Sequence, residues 1–346
     1  MRQDRWILRQ GSKSRGFRYR APTGEPVRDA RTLQRIDALR IPPAWRDVHV
    51  AASARAAVQA WGIDAKGRKQ YRYHDRAVER GAQRKFHRVR RLARRLPQIR
   101  DALRRDLRRP SHTPEHVAAT AVLLISKGFF RVGSERYARE NRTFGLSTLR
   151  KRHVSCAGER VHFTYRGKRG RAQHHVVVDR ELARCVERLL HTPGARLFRY
   201  RANAGSGWRD LTAREINEYL QAVTGLRFVA KDFRTWGGTV RLATVLADVG
   251  PPKNARQARR NVALAVRLVS AELGNTPAIC RSSYVHPIVI ARYLDAGETI
   301  ALRRNAGSRR RVRGGYYPEE RALLDFLDRH FPERRRRVRP EERAAA

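Results

Sequence analysis

Cysteine is scarce in this chain, and the little there is stands far apart. Cys156, Cys185 and Cys280 are its three cysteines, too few and too separated for a disulfide framework or a CxxC metal site. A reducing, cytoplasmic setting is therefore expected. Long apolar runs are also missing: none approaches the roughly 18 residues of a membrane span, and the opening MRQDRWILRQ shows no signal-peptide apolar region. Neither a GxxxxGK nor a GxGxxG run occurs, which leaves ATP and dinucleotide chemistry without a phosphate cradle. Acidic residues are the last shortage. Only 32 Asp and Glu stand against 77 Lys and Arg, giving a formal charge of +45 and a pI near 11.7.

What is present fits a folded protein that meets a polyanion. Apolar residues make up 41% of 346 residues, enough for a packed core across two domains. So large a positive excess repels itself at close range, and an abundant polyanion is the expected partner.

The chain changes texture along its length. Residues 1–85 read as a small strand-rich domain, with strand-like pieces at Trp6–Leu8, Phe17–Tyr19, Val48–Ala51 and Gln70–His74 separated by turns such as APTGEP. One helix is expected in DARTLQRIDALRI, ending before Pro42-Pro43. Residues 86–346 read as a larger, mostly helical domain, so the fold class is α+β. Its first stretch, AQRKFHRVRRLARRLPQIRDALRRDLRR, is helical and basic up to Pro110. Thr113-Pro114 then gives an N-cap and first-turn pair for an apolar helix carrying Val117, Val122, Leu123, Leu124 and Ile125. Within VHFTYRGKRGRAQHHVVVD, two β-rich runs flank Gly167-Lys168-Arg169-Gly170, which predicts an inserted hairpin. Helices are expected again near 180–190, 211–222, 232–248, 254–273, 277–295 and 317–330. The runs RRNAGSRRRVRGG and RRRRVRPEERAAA are expected to be partly mobile.

Five residues could carry chemistry, and each has an ordinary reading alone. Arg131 follows the apolar helix, as a surface arginine would. Lys168 sits at a hairpin tip, where most lysines are solvated, although a tip can deliver an ammonium to one phosphate. In KDFRTWGG, Asp232 is expected as an N-cap, placing Arg234 in the first turn, where a phosphate is welcome. In LGNTPAICRSSYVHP, Pro277 pushes Thr276 out of helical geometry, so the helix starts there and Asn275 is free to turn inward. Tyr284 by itself reads as core packing with a wet hydroxyl. HTPEH offers two histidines without a third ligand and reads as structural.

Taken in order, Arg131, Lys168, Arg234, Asn275 and Tyr284 resemble the catalytic series of type IB DNA topoisomerases, in the compact poxvirus-like and bacterial branch. The resemblance extends through IPPAWRDVHV, GRKQYRYH, FFRVGSERY, ENRTFGLSTLRKRHV, the YRGK hairpin, KDFRTWGGT and LGNTPAICRSSYVHP. It implies that Tyr284 attacks a phosphodiester of duplex DNA, forming a 3′-phosphotyrosyl bond and releasing a 5′-hydroxyl, with no ATP, metal or other cofactor. It implies that Arg131 and Arg234 meet the charge that builds on the non-bridging oxygens, and that Lys168 protonates the leaving oxygen. A phenol titrates near pH 10 in water, so the cationic surroundings must help remove its proton; no general base is assigned. Asn275 departs from the pattern, since viral and eukaryotic members carry histidine there. An asparagine amide donates a hydrogen bond but does not titrate.

The resemblance further implies that the first domain closes on the duplex as one arm of a C-shaped clamp. Gln70, Tyr71 and Tyr73 are then DNA-contact candidates, with Arg136 and Tyr137 beside Arg131. The expected partner is double-stranded DNA, with no membrane involved, acted on by a monomer at the nucleoid. A tyrosine recombinase shares the Arg/Lys/Arg/Tyr logic, but typically has HxxR where this chain has Lys231-Asp232-Phe233-Arg234. A passive basic nucleic-acid protein is the other alternative, and it needs no motif series ending in Tyr284.

Overall fold

The computed structural model describes residues 6–203, 207–302 and 315–332. The two arginine-rich runs expected to be mobile lie almost wholly outside them. The chain divides into two units, one up to Phe86 and the other from His87 onward.

The first unit is built on an antiparallel sheet of five strands in the order β2-β1-β3-β4-β5. The strands are β1 (Trp6–Ser12), β2 (Gly16–Arg20), β3 (Arg46–Ala51), β4 (Val58–Ile63) and β5 (Lys69–Tyr73). Helix α1 (Ala30–Ala38) begins where Asp29 accepts the Thr32 amide at 2.8 Å and covers one sheet face. Ile36 of α1 packs there with Ile7, Val48, Val50 and Ala60 as a small core. Strand β4 was not expected from the sequence. Gln59 and Ala60 are both buried on it, so an inner strand covered on two faces lacks the alternation that marks a strand. The Gln59 amide is satisfied locally, donating to Ala56 C=O at 2.7 Å and accepting from Arg35 at 3.0 Å.

The second unit is mostly helical. The basic stretch before Pro110 forms two helices, α2 (Asp75–Arg94), which begins in the first unit, and α3 (Leu96–Asp106). Their break at Arg95 precedes Pro97, which fits only the first turn of a new helix. Helix α4 (Pro114–Gly128) is capped by Thr113 and buries Val117, Val122, Leu124 and Ile125 at the centre of the unit. After the short α5 (Glu135–Asn141), three antiparallel strands follow in the order β6-β7-β8: β6 (Val154–Ala157), β7 (Arg160–Arg166) and β8 (Ala172–Val178). β7 and β8 pair from Arg160↔Val178 to Arg166↔Ala172, and β6 is an additional strand the sequence did not announce. Next come α6 (Arg180–Leu190), the two-residue strands β9 (Arg199–Tyr200) and β10 (Arg209–Asp210), α7 (Ala213–Thr224), α8 (Ala230–Val249) and α9 (Ala255–Glu272).

Two expectations need correction. The single helix expected over 277–295 is two, α10 (Pro277–Ser283) and α11 (Pro287–Ala296), followed by α12 (Pro318–His330). Pro287 cannot continue a helix through His286, which instead caps α11 by accepting the Ile288 amide at 3.2 Å. Tyr284 therefore lies in the bend, with φ −125° and ψ −4°. Second, Asp232 is not an N-cap. Helix α8 starts at Ala230, and Asp232 at its third position reaches back to accept the Val229 amide at 3.0 Å. Arg234 is consequently beyond the free amides of the first turn, and another arrangement must place it.

Candidate active site

The two arginines are placed by backbone carbonyls. Helix α4 ends at Phe129, which takes left-handed geometry (φ 52°) and turns the chain so that Phe130 is buried and Arg131 follows it. Arg131 Nη2 donates to Gly274 C=O at 2.8 Å and to Asn275 Oδ1 at 2.6 Å. Arg234 is 3% exposed. Its Nη2 donates to Leu273 C=O at 2.7 Å and its Nη1 to Phe129 C=O. The connection between α9 and α10 thus supplies acceptors to both guanidinium groups.

Tyr284 joins this group from the bend after α10. Its ring lies against Arg234, with 5.1 Å from the ring centroid to Cζ. Thr239 of α8 holds the bend, since its Oγ1 accepts the His286 amide at 3.1 Å and contacts Tyr284 C=O at 3.4 Å. The neighbouring Gly238 leaves room for this close approach: a Cβ there would come within 2.9 Å of Tyr284 O.

The electrostatics of the site are those of two cations held close together. Burial, and then the charge of Arg131, push the Arg234 pKa down to about 10, so it is still cationic at neutral pH. Burial drives His175 down to about 4, with further lowering from Arg234 and Arg131. Burial pushes Tyr165 up to about 12, against the pull of the same arginines. Among the described residues, two buried donors here have no hydrogen-bond partner: Arg234 Nε and Asn275 Nδ2. Because Asn275 Oδ1 accepts from Arg131, its amide N–H groups are left to donate elsewhere. Buried donors of this kind are uncommon and call for an acceptor, and an oxyanion is the acceptor that two arginines also favour.

The remaining candidates are placed differently. Lys168 is exposed on the turn between β7 and β8, next to Arg169 with φ 63°, and no hydrogen bond joins it to the other four among the described residues. Tyr71 and Tyr73 are exposed on β5, an edge strand, with ring centroids 5.8 Å apart. Gln70 points to the opposite face, where its amide donates to Asp64 at 2.9 Å. Arg136 and Tyr137 are exposed on α5, with Arg136 paired to Glu140 at 2.9 Å. His112 is exposed and His116 is fully buried inside α4. Among the described residues, no cluster of three or more metal-ligating side chains occurs, and no helix is long and apolar enough to cross a membrane. The sequence reading missed the groups that hold the arginines, namely the carbonyls of Phe129, Leu273 and Gly274. No side chain signals them.

Comparison with known proteins defines the class. A family model for the eukaryotic DNA topoisomerase I catalytic core matches residues 74–305, and one for the bacterial DNA topoisomerase IB N-terminal domain matches residues 16–64. DNA topoisomerase 1B of Acanthamoeba polyphaga mimivirus is 30% identical over 305 residues, covering 86% of this chain and 90% of that protein. DNA topoisomerase I of monkeypox virus and DNA topoisomerase 1B of vaccinia virus (strain Copenhagen) are each 25% identical over 236 residues, covering 68% of this chain and 72% of theirs. The chain belongs to the type IB DNA topoisomerase family. Its function is that of a type IB DNA topoisomerase, an isomerase whose substrate is DNA.

Proposed function

We propose that this enzyme relaxes supercoiled duplex DNA through a covalent intermediate on Tyr284. The supporting observation is the grouping of Arg131 with Asn275 and of Arg234 with the Tyr284 ring, with Arg234 Nε and Asn275 Nδ2 as buried, unmatched donors. A scissile phosphate set among them would receive hydrogen bonds on its non-bridging oxygens. Those bonds strengthen as the pentavalent transition state gathers charge.

The Tyr284 oxygen attacks phosphorus, the bond to the 5′-oxygen breaks, and Lys168 supplies the proton that the leaving oxygen needs. One phosphodiester replaces another, so bond energy is conserved and neither ATP nor a metal is required. The freed strand rotates under torque, and its 5′-hydroxyl then displaces Tyr284. Residues 86–346 would carry out this chemistry. Residues 1–85 would close on the duplex as the other arm of a C-shaped clamp, with Tyr71, Tyr73 and Gln70 at the DNA, and Arg136 and Tyr137 contacting DNA beside Arg131. The enzyme would act as a monomer on nucleoid DNA.

Relaxation of supercoiled plasmid in EDTA without ATP, with detergent-quenched samples assayed for covalent DNA, tests this reading. Wild type should relax plasmid and trap adduct, while Tyr284→Phe should bind DNA and do neither. Relaxation by Tyr284→Phe at the wild-type rate would exclude Tyr284 as the nucleophile.

A further inference from the structure

Lys168 and the arginine site sit on segments whose relative placement needs explaining. The lysine turn is closed on itself. Gly167 N–H donates to Arg171 C=O at 2.8 Å, Gly170 N–H to Gly167 C=O at 3.0 Å, and Arg166 Nε to Gly170 C=O at 3.3 Å. These bonds fix the shape of the turn but not its position against the α9–α10 connection that holds Arg131. On the β7 side, Phe144 N–H donates to Arg166 C=O at 2.7 Å and ties the hairpin to the segment after α5, whose Leu146 N–H donates to Arg131 C=O at 2.8 Å. On the β8 side, the Gln173 side chain reaches the α9–α10 connection at Gly274.

Gln173 is buried, and it spans two glycines. A Cβ on Gly167, the residue before Lys168, would fall 2.5 Å from Gln173 Cγ. A Cβ on Gly274, the residue before Asn275, would fall 2.8 Å from Gln173 Oε1 and 3.6 Å from Arg131 Nη1. A Cβ at either position would force Gln173 to shift, and at Gly274 the left-handed backbone (φ 60°) favours glycine in its own right. Gln173 Nε2 donates to Ala172 C=O at 2.9 Å, which fixes the roll of the amide and directs Oε1 at Gly274.

We infer that Gln173 is a positioning residue for DNA cleavage: a strut that sets the Lys168 turn at its working distance from the Gly274–Asn275 segment and Arg131. This rests on the reading of Lys168 as the proton donor. The stem of Gln173 fills the space beside Gly167 and its carbonyl end abuts Gly274. Shortening the side chain lets the turn settle inward or sway, and misplacement of a reacting group by about 1 Å costs on the order of 100-fold in rate. The arginines and Asn275 keep their own carbonyl and amide bonds, so the loss falls on delivery of the proton.

Leaving-group chemistry isolates that step. When the 5′-bridging oxygen is replaced by sulfur, the group that departs is a thiolate, which is stable without protonation because thiols titrate near pH 8.5. Single-turnover cleavage by full-length wild type, Lys168→Ala, Gln173→Ala and Gln173→Met should be measured on one duplex with either a 5′-oxygen or a 5′-sulfur at the scissile bond. Gln173→Ala is expected to slow cleavage of the oxygen substrate by about 10- to 100-fold, yet to cleave the sulfur substrate within about threefold of wild type, as Lys168→Ala does. Gln173→Met, which keeps length and bulk, should regain most of the rate on oxygen. Equal slowing on both substrates, or no slowing on either, overturns the strut. Failure of sulfur to rescue Lys168→Ala overturns the proton-donor reading itself, and the strut with it.

Discussion

Asn275 Oδ1 accepts a hydrogen bond from Arg131 Nη2 at 2.6 Å, and this single contact determines which way the amide faces. With the oxygen committed, the buried Nδ2 is the group free to donate to a phosphate oxygen. Asn275→Ala should therefore slow single-turnover cleavage by about 100-fold, the loss typical of one transition-state donor. Asn275→Asp should be slower still, because it brings a negative charge to the same place. The asparagine does not titrate, so Asn275→His should introduce a dependence of cleavage rate on pH near 6.5 that wild type lacks. Cleavage by Asn275→Ala at the wild-type rate would remove this residue from the site.

Arg234 and Lys168 should separate cleanly in a comparison of stability with activity. Arg234→Ala strips the buried carbonyls of Phe129 and Leu273 of their donors, at about 1–3 kcal/mol for each unpaired group. Its removal also relieves the buried charge, so a net loss of about 2 kcal/mol is expected, a fall in Tm of about 4–8 °C. Lys168 is exposed, and Lys168→Ala should change Tm by about 1 °C or less. Both substitutions should abolish most relaxation. Calorimetry beside a plasmid assay checks the pair, and equal Tm values for the two variants would contradict the buried placement of Arg234.

The residues proposed to bear chemistry stand out in the sequence because they lie in distinctive runs such as KDFRTWGGT and LGNTPAICRSSYVHP. What holds them is less so. Phe129, Leu273 and Gly274 act through backbone carbonyls, which every residue has. Asp232 illustrates a second gap. An Asp ahead of an apolar helical run reads as an N-cap, but a carboxylate at the third position instead accepts the amide of the N-cap residue itself, here Val229. The register here is set from a distance, since Arg88 grips Asp232 through two bonds of 2.9 and 2.8 Å. The bend at Tyr284 is a third case. Pro287 marks it, yet IVIARYLDA keeps an apolar pattern that suggests one unbroken helix. The α+β division is visible in composition, whereas β4 is hidden because the consecutive burial of Gln59 and Ala60 breaks the alternation that marks a strand.

His175 predicts an acid limb of stability. Its ring packs at 4.6 Å from Phe130 and 6.0 Å from Tyr165, and its pKa is lowered to about 4 by burial and then by Arg234 and Arg131. An unfolded histidine takes up its proton near pH 6.5. Between those values the unfolded chain binds more protons than the folded one, so stability falls as pH falls. The contribution is complete above about pH 6.5 and is lost by about pH 4, amounting to about 3 kcal/mol at most. His175→Phe removes the titration while preserving a ring. Thermal unfolding at pH 7 and pH 4.5 should show a smaller drop for this variant than for wild type, and equal drops would place the acid sensitivity elsewhere.

Gly237 makes the last prediction, because the shape of the Arg234 site depends on its missing side chain. A Cβ there would lie 1.9 Å from Phe129 Cε1 and 2.6 Å from Cζ, so Gly237→Ala must displace the ring. Phe129 is the residue whose carbonyl accepts from Arg234, and moving it disturbs the guanidinium above Tyr284. Gly237→Ala should lose about 1–3 kcal/mol of stability, as overpacked sites do, and slow cleavage at least tenfold. By contrast, Gly81→Ala in α2 meets nothing within 4 Å and should stabilise by about 0.5–1 kcal/mol through helix propensity. The decisive variant is Gly237→Ala combined with Phe129→Ala, which removes the clash while keeping the carbonyl. Its cleavage rate should exceed that of Gly237→Ala alone, a coupling expected of residues in direct contact. If the second substitution instead deepens the defect, the ring contact is not what ties Gly237 to Arg234.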